Sequence, residues 1–411
     1  MTREGSVLLL GVGKQGRAAL WDLLRSDIIT RVIAVDISRE SEEYIKSLKS
    51  DKIVFVRANL SDESELSALM RDVDIVIDLT PPQFTLHIVR LAIKNGKHLV
   101  NAMYLIDPSA VSDPESFQAL REEVNKMNEI AVEKEITILP EFGLDPGIDL
   151  VFTGQAIREL DEVYELYTYG AGIPEPEVAA TNPLKYKITW TFDGVLKSYK
   201  RPARVIREGR IETIPEDEIF SDKHCHEVEI EGLGILDAYP NGDAVDYAEK
   251  FGLLRNLKFA ARYSMRWSEH CKFWYKLVKL HFLDDTPVKL GDMWVVPRQF
   301  LVALLEPQLQ LQRDERDIAI VRVDVRGIKS GKKTRIIYQL IDYRDLTTGL
   351  TAMSRTTGFT ASIGAQMILR GDISKRGIIF PGTDIPFSVF RSELEKRGMK
   401  IERFVEERLD T

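Results

Sequence analysis

The segment ILPEFGLDPGIDLVF, residues 138–152, sets three carboxylates four positions apart, Glu141, Asp145 and Asp149, around a Gly-Leu-Asp-Pro-Gly turn between apolar runs. Local structure alone gives these acids work. Asp145 suits a helix N-cap, Pro146 the first helical position, and Asp149 the first turn, where negative charge meets the helix dipole. Chemistry gives them a second use. Hydride leaves a carbon bearing nitrogen only when that nitrogen is neutral. An amine oxidoreductase therefore needs a carboxylate to hold the ammonium form and a base to take its proton. The spacing leaves both readings open for Asp145.

A second pattern lies near the start. Gly11-Val12-Gly13-Lys14-Gln15-Gly16 is a G-x-G-x-x-G that follows an apolar strand and opens a helix, with Asp36 twenty residues beyond Gly16 at the end of the next strand. Three glycines alone say little; in that context they describe a dinucleotide loop. Gly11 permits a tight turn, Gly13 lets the backbone approach a pyrophosphate, and Gly16 lets helix and strand pack closely. Val12, Lys14 and Gln15 bring backbone to the helix N-terminus. Asp36 can accept from both ribose hydroxyls and would repel a 2′-phosphate, which favours NAD; Arg39, three residues on, leaves NADP open. Further cofactor contacts belong at the carboxyl ends of later strands: Asn59, Leu79-Thr80-Pro81, Asn101, Met103 and Tyr104, and Asp145-Pro146-Gly147. Tyr104 either reaches the nicotinamide and substrate or covers the sheet end.

The elements that must position these residues follow from hydrophobic pattern. The 411 residues exceed what one core usually carries, so two domains are expected. Wholly apolar strands at 6–12, 32–36, 53–57, 74–79, 98–101 and 136–139 alternate with helical patterns, among them 14–25, 41–49 and 114–133. That rhythm predicts a doubly wound parallel sheet, an α/β Rossmann domain over 1–148. Beyond it, strand-like runs at 163–171, 188–192, 227–230, 318–326 and 334–343 predict an α+β substrate domain with a mostly antiparallel sheet over 149–350. Lys329-Ser330-Gly331-Lys332 reads as a hairpin turn, and a change of phase within 318–326 predicts a bulge or twist. A helix rich in small residues is expected at 356–370.

The net charge of −8 argues against nucleic acid, which needs a basic face. No apolar run is long enough to span a bilayer, and Met1–Ser6 does not read as a signal peptide. Two cysteines far apart, Cys225 and Cys271, exclude a disulfide framework and point to the cytoplasm. His224-Cys225-His226 places two imidazoles on one strand face, too few for a closed zinc site, so no metal is expected. His270, in RYSMRWSEHCKF, is either a proton carrier or an ordinary helix-face histidine.

The chain resembles the saccharopine dehydrogenase family, with its glutamate-forming saccharopine reductases and lysine 6-dehydrogenases. Gly143 to Asp149 is similar to the family's hallmark after the Rossmann domain. NPLKYKITWTFDGVL (182–196), EGRIETIP (208–215) and AYPNGDAVDYAEKFG (238–252) resemble the reductases, while the segment 351–381 is closer to the lysine dehydrogenases. The resemblance implies that the last helices, within 351–411, return to the Rossmann domain. It also implies an NAD(P)-dependent amine oxidoreductase working on a small lysine-derived amino acid in a cleft between the domains, and a homodimer. Asp145 would then hold the substrate amine, Tyr104 position it, and His270 or water move the proton. Met103, Tyr104, Lys187, Asp193, Tyr239, Asn241 and Arg262 would line the substrate site. Three positions depart from the reductases. Met103 replaces a typical serine, and Asp193 and Gly242 stand where arginines would grip the glutamate-side carboxylates. That favours a substrate with fewer carboxylates, or one held by Lys185, Lys187, Arg201, Arg262 or Arg266. Lysine 6-dehydrogenase is the alternative within the class, and a non-catalytic dinucleotide-binding regulator the alternative outside it.

Overall fold

A computed structural model describes residues 4–106 and 114–408. The chain forms two compact units: one takes the chain as far as Phe152 and again Ser354–Lys400, the other takes Thr153–Met353 and the chain from Ile401 onward.

In the first unit seven parallel strands lie in the order Gly377–Ile378, Thr137–Leu139, His98–Asn101, Ile75–Asp78, Gly5–Leu10, Ile29–Asp36, Ile53–Arg57. This is the doubly wound order in which the strand direction of winding reverses beside the first strand, the place where such sheets take ligands. Val7 to Leu10 and Ile75 to Ile77 are fully buried, as strands covered on both faces must be. The seventh strand comes from the C-terminal part of the chain and pairs with Thr137–Leu139.

The small residues of the helix Ala352–Arg370 have a packing reason. A Cβ on Gly358 would lie 2.3 Å from the Gln15 carbonyl oxygen, and one on Gly364 would meet the Phe142 ring at 2.7 Å. This helix therefore lies against both the helix that follows the glycine loop and the segment that carries the acids. Buried Asp22 fastens the arrangement: Arg397 pairs with it at 2.7 Å, and Ser362 Oγ and Gln366 Nε2 donate to it at 2.7 and 3.0 Å.

In the second unit a mostly antiparallel sheet runs His226–Ile230, Gly234–Pro240, Phe259–Trp267, Glu162–Pro174, Asp317–Lys329, Lys332–Tyr343, Ile401–Arg408, with one parallel pair, Phe259–Trp267 beside Glu162–Pro174. Ala203–Arg207 and Arg210–Ile214 extend it.

Several sequence expectations are corrected here. The run 188–192 is not a strand: Ile188 makes a single bridge to Gln310, and Phe192–Ser198 is a helix. The irregularity expected within 318–326 falls at its end: the pairing of Asp317–Lys329 with Lys332–Tyr343 is continuous, and the register shift is against Glu162–Pro174 at Arg326/Gly327. The strand is buried on both faces at its centre, so alternation there carried no phase information. The last strand, Ile401–Arg408, pairs with Lys332–Tyr343 in the second unit, so the tail is not helical throughout. Among the described residues no helix is long and apolar enough to cross a membrane.

Candidate functional site

Two of the three loop glycines have no room for a side chain, and the third faces open space. Gly11 has φ +85°, and a Cβ there would stand 2.7 Å from the Leu79 carbonyl oxygen; at Gly16 it would stand 2.0 Å from the Gly11 carbonyl oxygen. Both glycines are required by the protein itself. At Gly13 a Cβ would meet nothing within 4 Å. The fold leaves room there, and the helix Lys14–Arg25 begins at Gly13 with no side-chain cap and no acid in its first turn. The first-turn N–H groups of a helix point at the space before it, and beside open space they form a ready anion site, so these residues fit a pyrophosphate.

Asp36 has a role the sequence did not show. Its Oδ2 accepts from Val12 N at 2.7 Å and its Oδ1 from Ser38 N at 2.8 Å, so the carboxylate ties the glycine loop to the end of the second strand. Arg39, next to the Ser38 cap, is 86% exposed, with Glu43 at 3.8 Å as its acidic neighbour. Asn59 turns its side chain to its own loop, accepting from Ser61 N.

At the ends of the next strands lies a buried polar relay. Asp78 accepts from Thr80 N at 3.0 Å, from Thr80 Oγ1 at 2.6 Å, and from Asn101 Nδ2. Asn101 in turn accepts from Met103 N, and Phe142 N donates to the Asn101 carbonyl at 2.9 Å. Burial pushes the Asp78 carboxyl up to about 6, against the donors that favour its ionised form. Thr80 and Asn101, expected at the cofactor, thus use their side chains inward, while Leu79, Met103 and Tyr104 stay partly exposed and Pro81 exposed. Asp78 was missed because an acid closing an apolar strand looks like a solvated end.

The acid-bearing turn packs against this relay. Glu141 N donates to the Met103 carbonyl at 3.1 Å, and a Cβ on Gly143 would be 3.2 Å from Ala102 Cβ. Tyr104 and the Asp145 turn are therefore brought to one edge. The helix-cap expectation for Asp145 is overturned: Asp145–Pro146 is a cis peptide, and the helix begins at Ile148, so Pro146 lies outside it. The turn closes on itself instead, Gly143 N donating to Pro146 O at 2.9 Å and Ile148 N to Gly143 O at 3.0 Å. Gly147, at φ +143°, is in a conformation a side chain would not tolerate, with Gly143 O 2.2 Å from its missing Cβ. The three acids then separate by burial. Asp149 is fully buried and accepts from Gly147 N at 2.7 Å, Glu141 is 6% exposed, and Asp145 alone in 141–150 retains intermediate exposure.

The second unit holds the other expected residues. Lys187 is buried and paired with Glu315 at 3.0 Å. Asp193 is paired with Arg298, which also holds Asp285, and with Lys197 at 2.9 Å. Gly242 has φ +80°, so the backbone there differs from what an arginine favours. Asn241 Nδ2 donates to Ser264 Oγ at 2.8 Å, and Arg262 lies over the Tyr247 ring at 4.5 Å. His270 is buried beside Tyr199, whose hydroxyl is 2.8 Å from its Nε2, and stacks with Tyr239 at 6.0 Å. Burial and the Arg266 charge hold its pKa well below the usual histidine range, so it is neutral at physiological pH. His224 and His226 do not share a strand face: the strand starts at His226, which lies by Tyr169, while His224 is 3.4 Å from Arg207. No group of three metal-binding side chains occurs among the described residues.

Comparison with known proteins agrees with this geometry. The saccharopine dehydrogenase NADP binding domain matches residues 7–139, and the saccharopine dehydrogenase C-terminal domain matches 143–399. The chain is 24% identical to the NADP(+), L-glutamate-forming saccharopine dehydrogenase of Schizosaccharomyces pombe, over 97% of this chain and 98% of that protein. It is 26% identical to the mitochondrial alpha-aminoadipic semialdehyde synthase of Bos taurus, over 93% of this chain but 46% of that longer protein. The apo saccharopine dehydrogenase (L-Glu forming) of Saccharomyces cerevisiae shares the fold, with a TM-score of 0.81, 23% identity, and 98% and 100% of the two chains covered.

Proposed function

This chain belongs to the saccharopine dehydrogenase family, and we propose on that premise that it interconverts an amine and an imine on a lysine-derived amino acid, using a nicotinamide dinucleotide. The observation that carries the reading is Asp145. It is the one acid of its segment left partly exposed, on a turn fixed by two glycines at the same sheet edge as the dinucleotide loop. When bound, the dinucleotide supplies the hydride acceptor for the carbon that carries the substrate nitrogen. Gly11 to Gly16 and the helix N-terminus hold its phosphates, with Gly13 leaving the room. Asp145 pairs with the substrate ammonium and keeps it at the edge while the proton departs to water. Tyr104, on the loop ordered by Asn101 and Met103, orients the substrate. Water then adds to the substrate imine carbon, and the C–N bond breaks to give an aldehyde and an amine; the reverse direction condenses and reduces the same pair.

NADP is the cofactor we favour over the NAD expected from Asp36. The matched domain and the S. pombe relative are named for NADP, Asp36 holds two backbone N–H groups, and Arg39 is exposed beside it for a 2′-phosphate. A homodimer in the cytoplasm, with both cysteines free, belongs to the same proposal.

The test follows reduced-nicotinamide absorbance with NAD and with NADP against saccharopine, lysine, ornithine and carboxylated polyamines. Turnover of one of these with NADP, abolished by Asp145→Ala, is expected. Dinucleotide binding without turnover of any amine would return the chain to the regulator reading.

A further inference from the structure

Buried arginines in this protein normally have carboxylates. Arg298, 5% exposed, has Asp193 and Asp285, and the half-buried Arg397 has Asp22 and Glu393. Arg266, 8% exposed in the strand Phe259–Trp267, has none within 4.0 Å among the described residues. Its register partner on the neighbouring strand is Asp237, yet that carboxylate turns away to accept from Cys271 N at 3.1 Å. Arg266 Nη1 donates to the adjacent Met265 carbonyl at 2.8 Å, and Nε has no partner. Beside it, 5.8 Å from the guanidinium carbon to the ring centre, Tyr186 also buries a hydroxyl with no partner. Desolvating a cation without a counter-charge is costly, and two buried unsatisfied polar groups on neighbouring side chains need an explanation. Tyr199, Tyr239 and His270, all neutral, enclose the rest, Tyr199 as a hydrogen-bond partner of the guanidinium, and a cleft of about 180 Å³ lined by Lys185 and His270 opens beside His270.

We infer that Arg266, with the Tyr186 hydroxyl, is the receptor for a carboxylate of the substrate. The inference rests on the amine-oxidoreductase reading and gives it a residue for substrate recognition. A carboxylate would supply the missing charge and accept from both unpartnered donors, the pairing for which a guanidinium is built. Arg262 and Ser264 lie on the same strand face at two-residue intervals, about 7 Å apart, so the face continues as a polar row. Asp193 is neutralised by Arg298 and Lys197, so in this chain the acid-binding charge has moved from the position of the family arginine to the strand.

The experiment measures the thermal midpoint of the full chain with glutarate as the carboxylate probe and putrescine as a cationic control. Glutarate is expected to raise the wild-type midpoint and putrescine not. Arg266→Met should abolish the glutarate shift. Tyr186→Phe removes a hydroxyl that bonds to nothing, so it should leave the unliganded midpoint unchanged or higher while weakening glutarate about three- to tenfold. With a turned-over carboxylated substrate, Arg266→Met should raise KM about 10- to 100-fold and affect an amine lacking that carboxylate little. No glutarate shift in the wild type, or an undiminished one in Tyr186→Phe or Arg266→Met, would overturn the inference and leave a chamber filled by water. A glutarate shift with no amine turned over would sink the proposed reaction and leave this site standing.

Discussion

The carboxyl edge of the parallel sheet and the polar face of the antiparallel sheet are built by different means. At the edge, glycines place backbone: Gly11, Gly16 and Gly147 are each forced by an atom within 2.7 Å of a missing side chain, and the one free glycine, Gly13, marks the space for a ligand. In the unit that carries the face, charged side chains do the placing, and their partners decide what remains available. Lys187, Asp193 and Arg298 are closed in pairs, and Arg266 is open. Backbone sites tolerate almost no substitution; a side-chain site depends on which charges find a partner, as the ion pair of Asp193 with Arg298 shows.

The largest effect expected is on chemistry at the edge. Asp145→Ala should lower kcat/KM by about 10² to 10⁴ while dinucleotide affinity, read by fluorescence titration, stays the same; equal losses in both would show that Asp145 only shapes the turn. Next come the glycines. Gly147→Ala should destabilise the fold by about 3 kcal/mol or more, and Gly13→Ala by less than about 0.5 kcal/mol, with its loss appearing instead in dinucleotide affinity. Chemical denaturation of both variants separates them, and a large stability loss at Gly13 would remove the cradle argument. Arg39→Ala should weaken NADP by about tenfold and leave NAD unaffected, which steady-state KM values for the two cofactors would show.

A last prediction compares the units directly, since each buries one acid raised to about 6, Asp78 in the first and Asp317 in the second. Asp317 accepts from Ala352 N and Met353 N, capping the helix Ala352–Arg370. For both, burial raises the folded pKa above the unfolded value of 3.8. The native state therefore binds more protons between these values. Their stabilising contribution is full below about 3.8 and is lost as pH rises through about 6. Measured as the difference from Asp78→Asn, wild-type stability should fall with rising pH in that window by at most about 1.4 kcal/mol per pH unit. A flat difference would mean that Asp78 is ionised throughout.

Much of the first unit was legible in the sequence because its signals are local. The strand 53–57 and the helices 14–25 and 114–133 stand as the periodicity placed them, and G-x-G-x-x-G with Asp36 fixes a loop whose geometry depends on neighbours in the chain. The saccharopine dehydrogenase likeness was carried by ordered segments of the same kind. What the sequence left undecided was decided by distance in the fold. Nothing near Asp78 announces that Asn101, 23 residues away, would close over it, and nothing near Asp193 announces Arg298, 105 residues away. The run 188–192 looked like a strand because apolar alternation cannot tell a ladder strand from a buried loop that leads into a helix. Of Glu141, Asp145 and Asp149, identical in spacing and similar in charge, only packing selects Asp145. Residue type and local spacing determined which groups are present; whether each is exposed, paired or left open depends on desolvation and on partners brought in by remote chain, and those quantities exist only in the tertiary structure.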